Sequence, residues 1–138
     1  TNVAKYNLTG CGSTTSGLII GGGSPPGAGP NNHEQWNGST WTETTENNTG
    51  RQSGAGSGPS GDDALFFSGG PSHTGATEQW DGSSWTEISD LSTARKAWDM
   101  GAGTTSAAVC GGGGAATART NVTEEFSFSA SAETVAVD

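Results

Sequence analysis

The chain has 138 residues, 30% hydrophobic and 14% charged, with 24 glycines and a formal net charge of −9. That length holds one modest domain, and the acidic balance excludes the basic stripe that nucleic-acid binding needs. It also disfavours an anionic membrane surface, and no apolar run approaches the roughly 20 residues of a membrane helix.

In chain order, the first element is a small-residue segment, GCGS at 10–13, followed by the apolar run GLIIGGG at 17–23. An aromatic segment comes next, HEQWNGSTWTE at 33–43. The order then repeats: GAGS at 54–57, ALFFSGG at 64–70 and TEQWDGSSWTE at 77–87. The stretch LSTARKAWDM at 91–100 reads as a loop entering a strand, since it runs straight into Gly101-Ala102-Gly103. A third round follows, with GAGT at 101–104, AAVCGGG at 107–113 and a degenerate Thr123-Glu124-Glu125-Phe126, where Phe126 stands for Trp80. Internal repeats of this kind decide a fold. Gly- and Ser-rich composition can mean disorder, but five Trp and four Phe in recurring, alternating contexts argue for a packed chain.

Every piece reads as β. Four apolar residues ending at Gly-Gly predict a short buried strand and a turn. Asn37-Gly38 and Asp81-Gly82 are strong hairpin signals, because a type I′ turn needs positive φ at both central residues. With Asn37-Gly38 as the two-residue loop, Trp36 pairs with Ser39 and Glu34 with Trp41. The other register sets Trp36 against Trp41, but also Glu34 against Glu43, and opposed like charges weaken a ladder. The first is therefore expected. In both, Trp36 and Trp41 share a face, as do Trp80 and Trp85, and those faces must pack on something.

Four short strands per unit of about 45 residues is the pattern of a propeller blade. In detail the chain resembles kelch repeats. It has Gly-Gly doublets at Gly21-Gly22, Gly69-Gly70 and Gly111-Gly112, third-strand aromatics at Trp36, Trp80 and Phe126, and fourth-strand tryptophans at Trp41 and Trp85. Leu91-Ser92-Thr93-Ala94-Arg95 is similar to a kelch lead-in, and Thr49-Gly50-Arg51 is a weaker copy. The resemblance implies an all-β fold of three kelch-like, four-stranded antiparallel blades at about 1–45, 46–90 and 91–138, a partial β-propeller. Three blades fall short of the roughly four to eight of closed propellers, so completion by oligomerisation or by additional chain is expected. No leader peptide is legible and the chain starts at Thr1, from which processing or a longer parent chain is expected.

The Thr-Glu-Gln-Trp-Asp-Gly phrase is also similar to repeats of bacteriophage structural and tail-associated proteins and of secreted bacterial repeat proteins. That resemblance implies a virion-surface or extracellular setting. The expected function is a non-enzymatic structural or adhesion module, with a lectin-like glycan-binding propeller or a filament subunit as the alternative. Partners would be further copies, other virion or surface proteins, or a cell-surface glycan, with no nucleic acid and no membrane insertion. The loops 23–32, 57–63 and 113–120 would meet them.

No catalytic residue, metal or cofactor is expected. The four N-x-S/T matches at Asn7, Asn37, Asn47 and Asn121 are of the kind an Asn-, Ser- and Thr-rich chain produces by chance. Asp81-Gly82-Ser83-Ser84-Trp85 lacks the Asp-box spacing, and one Tyr with two unclustered histidines makes no copper site. His33 and His73, beside turn residues, read as solvated. Glu34, Glu78 and Glu124, one per unit, read as solvated carboxylates, because the spacing of a calcium loop is missing. Cys110, aligned with Ile20 and Phe67, and Cys11, aligned with Ala55 and Ala102, read as free core fillers. The residues singled out are therefore structural: Trp36, Trp41, Trp80, Trp85, Phe126, Ile20, Phe67 and Cys110 for packing, and Asn37, Gly38, Asp81 and Gly82 for turns.

Overall fold

The computed structural model describes residues 1–23, 32–97 and 100–127. Among them the chain is all-β, with three antiparallel sheets and no helix. The first sheet runs β1 (Thr9–Gly12), β2 (Gly17–Ile20), β3 (His33–Trp36) and β4 (Trp41–Thr44), in that spatial order. The second repeats it as β5 (Ala55–Ser60), β6 (Asp63–Phe67), β7 (Thr77–Trp80) and β8 (Trp85–Ile88). The third holds β9 (Gly101–Gly103), β10 (Ala107–Gly111) and β11 (Thr123–Ser127). Each sheet is a simple up-and-down blade, and together they form a partial, propeller-like array. The fourth strand expected of the last blade, and most of the loop 23–32, lie outside the described residues. The loop expected at 57–63 is instead a hairpin of β5 and β6 turning at Gly61-Asp62.

The alternation of strand side chains explains how the blades stack. Leu18 and Ile20 leave the first sheet on one face and meet Ala64, Phe66, Trp80 and Trp85 of the second. From the opposite face of the second sheet, Ala55, Leu65 and Phe67 meet Ala108, Cys110 and Phe126 of the third. The middle blade is thus covered on both sides, so all four of Ala64, Leu65, Phe66 and Phe67 are buried. A continuous apolar run is what a strand buried on both faces requires.

The small-residue segments answer a steric demand. A Cβ on Gly101 would lie 2.5 Å from Gly56 O, and one on Gly56 would lie 3.0 Å from Thr9 Oγ1. The first strands of successive blades therefore approach too closely for larger side chains. A hydrogen bond from Gly56 N to Thr9 Oγ1, 2.9 Å, seals the first of these contacts.

Two registers differ from the sequence reading. Trp36 pairs with Trp41 and Glu34 with Glu43, and likewise Trp80 with Trp85 and Glu78 with Glu87. The turn is not type I′, since positive φ falls on Gly38 (93°) and Gly82 (92°) but not on Asn37 or Asp81. Those two side chains cap the turn instead. Asn37 Oδ1 accepts from Ser39 N and Thr40 N, both 2.9 Å. Asp81 Oδ1 accepts from Ser83 N and Ser84 N, both 2.8 Å. Four such bonds from Ser84 and Ser83, their backbone amides first, hold the Asp81 carboxyl down at about 2. The like-charge penalty is removed because Glu34 and Glu78 point into buried joints, while Glu43 and Glu87 face solvent.

The third blade is aligned one residue later than its sequence suggests. Trp36 lies opposite Gly17, Trp80 opposite Ala64, and Phe126 opposite Ala108. Positive φ marks Gly21-Gly22, Ser68-Gly69 and Gly112-Gly113 as the equivalent doublets, rather than Gly69-Gly70 and Gly111-Gly112. Cys110 therefore takes the place of Ile19 and Phe66, not of Ile20 and Phe67. A one-residue shift reverses the face a side chain occupies, which is why Cys110 points back to the second blade. Cys11 likewise matches Ser57 rather than Ala55, since each pairs with the residue, Leu18 or Leu65, at the same position of the second strand.

Gly82→Val should cost about 1–3 kcal/mol, the range for strain at a special backbone position, with Gly38→Val similar. A melting temperature equal to that of the parent chain would contradict the turn geometry.

Candidate functional site

Each blade carries a carboxylate at the same position of its third strand, Glu34, Glu78 or Glu124, and each is met by the loop that leads into the same blade. Glu34 is 0% exposed and Glu78 2%; the reading of these groups as solvated is overturned. Glu34 accepts from Asn2 N at 2.6 Å and Val3 N at 3.4 Å, with Lys5 Nζ 3.6 Å away. Glu78 accepts from Asn48 N at 2.8 Å, Asn47 Nδ2 at 3.2 Å and Arg51 Nη2 at 2.8 Å. Glu124 accepts from Ser92 N at 2.6 Å and Thr93 N at 3.2 Å, and Arg95 Nη2 lies 3.2 Å from it. Burial alone would raise the Glu124 carboxyl, but the bonds from Ser92 and Thr93 and the Arg95 charge hold it below the usual carboxylate range.

The arginines do more than neutralise charge. Arg51 donates to the carbonyls of Ser68 and Ala76 and lies 4.5 Å from the centroid of the Phe66 ring. Arg95 donates to Val122 O at 3.0 Å and Cys110 O at 3.2 Å. Lys5, Arg51 and Arg95 escaped the sequence reading as a set. The signal was present: they follow one another at nearly the spacing of Glu34, Glu78 and Glu124.

His33 is also buried, at 0% exposure, contrary to the solvated reading. Gly21 N donates to its Nδ1 at 3.2 Å, and Asn47 N donates to its Nε2 at 3.2 Å, with Asn47 Oδ1 3.0 Å from the same nitrogen. Its ring stacks on Trp85 with centroids 5.0 Å apart. Burial pushes its pKa down to about 4, Asn47 opposing and the Lys5 and Arg51 charges adding to the shift. The chain His33–Asn47–Glu78–Arg51 thus joins the first blade to the second. His73 is half-exposed and takes no part. Cys11 and Cys110 are free thiols, as expected, and burial lifts Cys11 to about 12. Neither is a nucleophile at neutral pH. Among the described residues no group of His, Cys, Asp and Glu is arranged to hold a metal ion.

What these joints leave free is surface. Trp80 and Trp85 are covered by the first blade, with ring centroids 5.3 Å apart. Their counterparts Trp36 and Trp41, 5.4 Å apart, stay half-buried on the outer face of the first blade. Trp85 Nε1 donates to Thr45 O of the neighbouring blade at 3.1 Å, whereas Trp36 Nε1 donates to Thr14 O within its own, at 2.9 Å. Beside Trp36 opens a cleft of about 490 Å³ lined by Thr15, Ser16, Gln35, Asn37, Thr42 and Asp62. At the other end, the outer face of the third blade holds a shallow groove of about 280 Å³ between Met100, Ala102, Val109 and Thr123.

No protein-family model matches the chain, and no curated protein does. Among solved structures, that of YjhT superimposes with a TM-score of 0.78 at 13% identity, covering 94% of this chain and 45% of its own. The likeness is one of fold, and the chain spans less than half the length of that protein.

Arg51→Met should destabilise by about 3–5 kcal/mol, the cost of leaving a buried charge unpaired; an unchanged denaturation midpoint would remove the joint from the account. A second expectation concerns acid. Above pH 6.5 His33 is neutral whether folded or not; between 6.5 and about 4 only the unfolded chain takes the proton. Stability is therefore lost as pH falls through that window, by up to about 3 kcal/mol. His33→Thr, the residue at this position in the other blades, should flatten that part of the stability–pH curve. Parallel curves for the two proteins would contradict it.

Proposed function

We propose that the chain is a non-enzymatic structural and adhesion module that acts through the surfaces of its blades. Its setting would be a virion surface or tail, or the extracellular space. The observation that carries this is the use made of its polar chemistry. Glu34, Glu78, Glu124, Lys5, Arg51, Arg95 and His33 are each engaged in tying a loop to a strand or one blade to the next. The large aromatic surface left over is a sheet face, Trp36 with Trp41, suited to contact rather than to turnover. The repeat phrase resembling phage structural proteins points to the setting, and the exposed residues 116–119, with Thr117 and Arg119, add a contact loop.

A specific feature supports a second reading, glycan binding. The cleft beside Trp36 combines an indole with the amides of Gln35 and Asn37 and the Asp62 carboxylate, the mixture a sugar ring uses for stacking and hydrogen bonding.

Labelled protein mixed with bacterial cells and purified phage particles should associate with one of those surfaces. It should give no specific signal on a glycan array. Binding to neither surface would defeat the adhesion reading. Array signals abolished by Asp62→Ala would replace it with the glycan one.

A further inference from the structure

The two outermost sheet faces are the halves of a junction that the chain already builds twice, and we propose that a second copy completes it head to tail. The outer face of β9–β11 in one copy would seat on the Trp36–Trp41 face of the other. This rests on the reading that the chain acts through its blade surfaces, and it names the partner.

The internal junctions fix which face meets which. The face bearing Leu18 and Ile20 meets the face bearing Phe66 and Trp80. The face bearing Leu65 and Phe67 meets the face bearing Cys110 and Phe126. The register leaves one face of each kind unused. Ile19, Trp36 and Trp41 stand where Phe66, Trp80 and Trp85 stand, and Val109 stands where Leu18 and Leu65 stand. Among the described residues like faces do not meet; unlike faces do, and one of each remains.

Steric and polar details agree. Gly56 and Gly101 are pressed by the preceding blade, but Gly10, at the same register position, is exposed and its Cβ would meet only Leu18 O of its own sheet, at 3.1 Å. Among the described residues, the first blade thus has the close-approach glycine with nothing approaching it. Across the first junction, Gln35 Nε2 donates to Asp62 Oδ1. At the free ends, Glu125 holds the place of Gln35, opposite Val109 as Gln35 is opposite Leu18. Thr15 holds the place of Asp62, each lying against the glycine of the hairpin turn. The acid has changed sides, so the Thr15 hydroxyl would donate to Glu125 where Gln35 donates to Asp62.

Size fits as well. The chain matches 45% of the YjhT chain, which leaves room in that fold for a second stretch of similar length. Two copies joined at both ends make a heterologous contact that closes. They bring about six blades together, within the range of about four to eight for closed rings. Charge opposes the approach of two acidic copies, but it is screened beyond about 8 Å at physiological salt.

Sedimentation equilibrium of the whole chain at micromolar concentration and physiological salt tests this. The expected mass is twice the chain mass of 13.7 kDa; a monomer overturns the proposal, and the free faces then belong to further blades or to another protein. Val109→Arg blocks one face, and Thr15→Glu blocks the other by setting a second carboxylate against Glu125; both positions lie outside the buried clusters. Each variant alone should associate at least about tenfold more weakly, a change of about 1.4 kcal/mol. Mixing the two should restore a one-to-one complex, because the intact third-blade face of one meets the intact Trp face of the other. Failure of the mixture to recover, with both variants giving the parent's tryptophan emission, would overturn the head-to-tail arrangement. Cell or particle binding by a monomer would sink this proposal alone. A dimer that binds neither surface would sink the adhesion reading alone.

Discussion

A carboxylate buried on the third strand of a blade has to be neutralised where it stands, and the rest of the architecture follows from how this is done. An ionised group taken out of water is costly unless paired and hydrogen-bonded. The chain meets that requirement with the segment entering each blade, which supplies amide donors and, a few residues on, a cation. Asn2–Lys5, Asn48–Arg51 and Ser92–Arg95 do the same work for Glu34, Glu78 and Glu124. The loop is thereby fixed across the third strand before the first strand begins. Tyr6, Gln52 and Lys96, one residue after each cation, then bridge to Gly23, Gly70 and Gly114. One polar joint so positions both the start of a blade and the Gly-rich end of its second strand.

Stacking depends on these joints and on space. Because each entering segment is held, β1, β5 and β9 come side by side, close enough that only small residues fit between them. The aromatic side chains fill the wider part of the wedge between blades, where the third and fourth strands diverge. The first junction adds His33 and Asn47, a polar pair whose positions in the second junction are held by Thr77 and Leu91. The second is correspondingly the more aliphatic, with Ile88 and Leu91 packed against the cluster that holds Leu65, Phe67 and Cys110. The His33 contribution to pH sensitivity therefore belongs to the first junction.

The blade order, the strand-forming segments and the pairing of tryptophans on one face were legible in the sequence, because they rest on local chemistry repeated three times. Three features were not. The hairpin register turned on whether Glu34 faces solvent or a buried cation, and no local pattern separates Lys5 from an ordinary surface lysine. The alignment of the last blade turned on which of several consecutive glycines takes positive φ; four glycines in a row leave that open. His33 looked solvated beside its turn because Asn47 and Trp85, which enclose it, come from the next blade.

By itself, then, the sequence determined an all-β chain of three similar antiparallel units. Period-two alternation, turn residues and internal repetition are all read within one unit, and they act over a few residues. The tertiary structure alone decided which carboxylates are buried, which face Cys110 occupies, and which tryptophans are left uncovered. Those outcomes depend on what the neighbouring blade brings into contact. Trp36 and Trp80 have nearly the same local sequence and the same strand geometry, and they differ because the first blade covers Trp80, whereas among the described residues no blade covers Trp36.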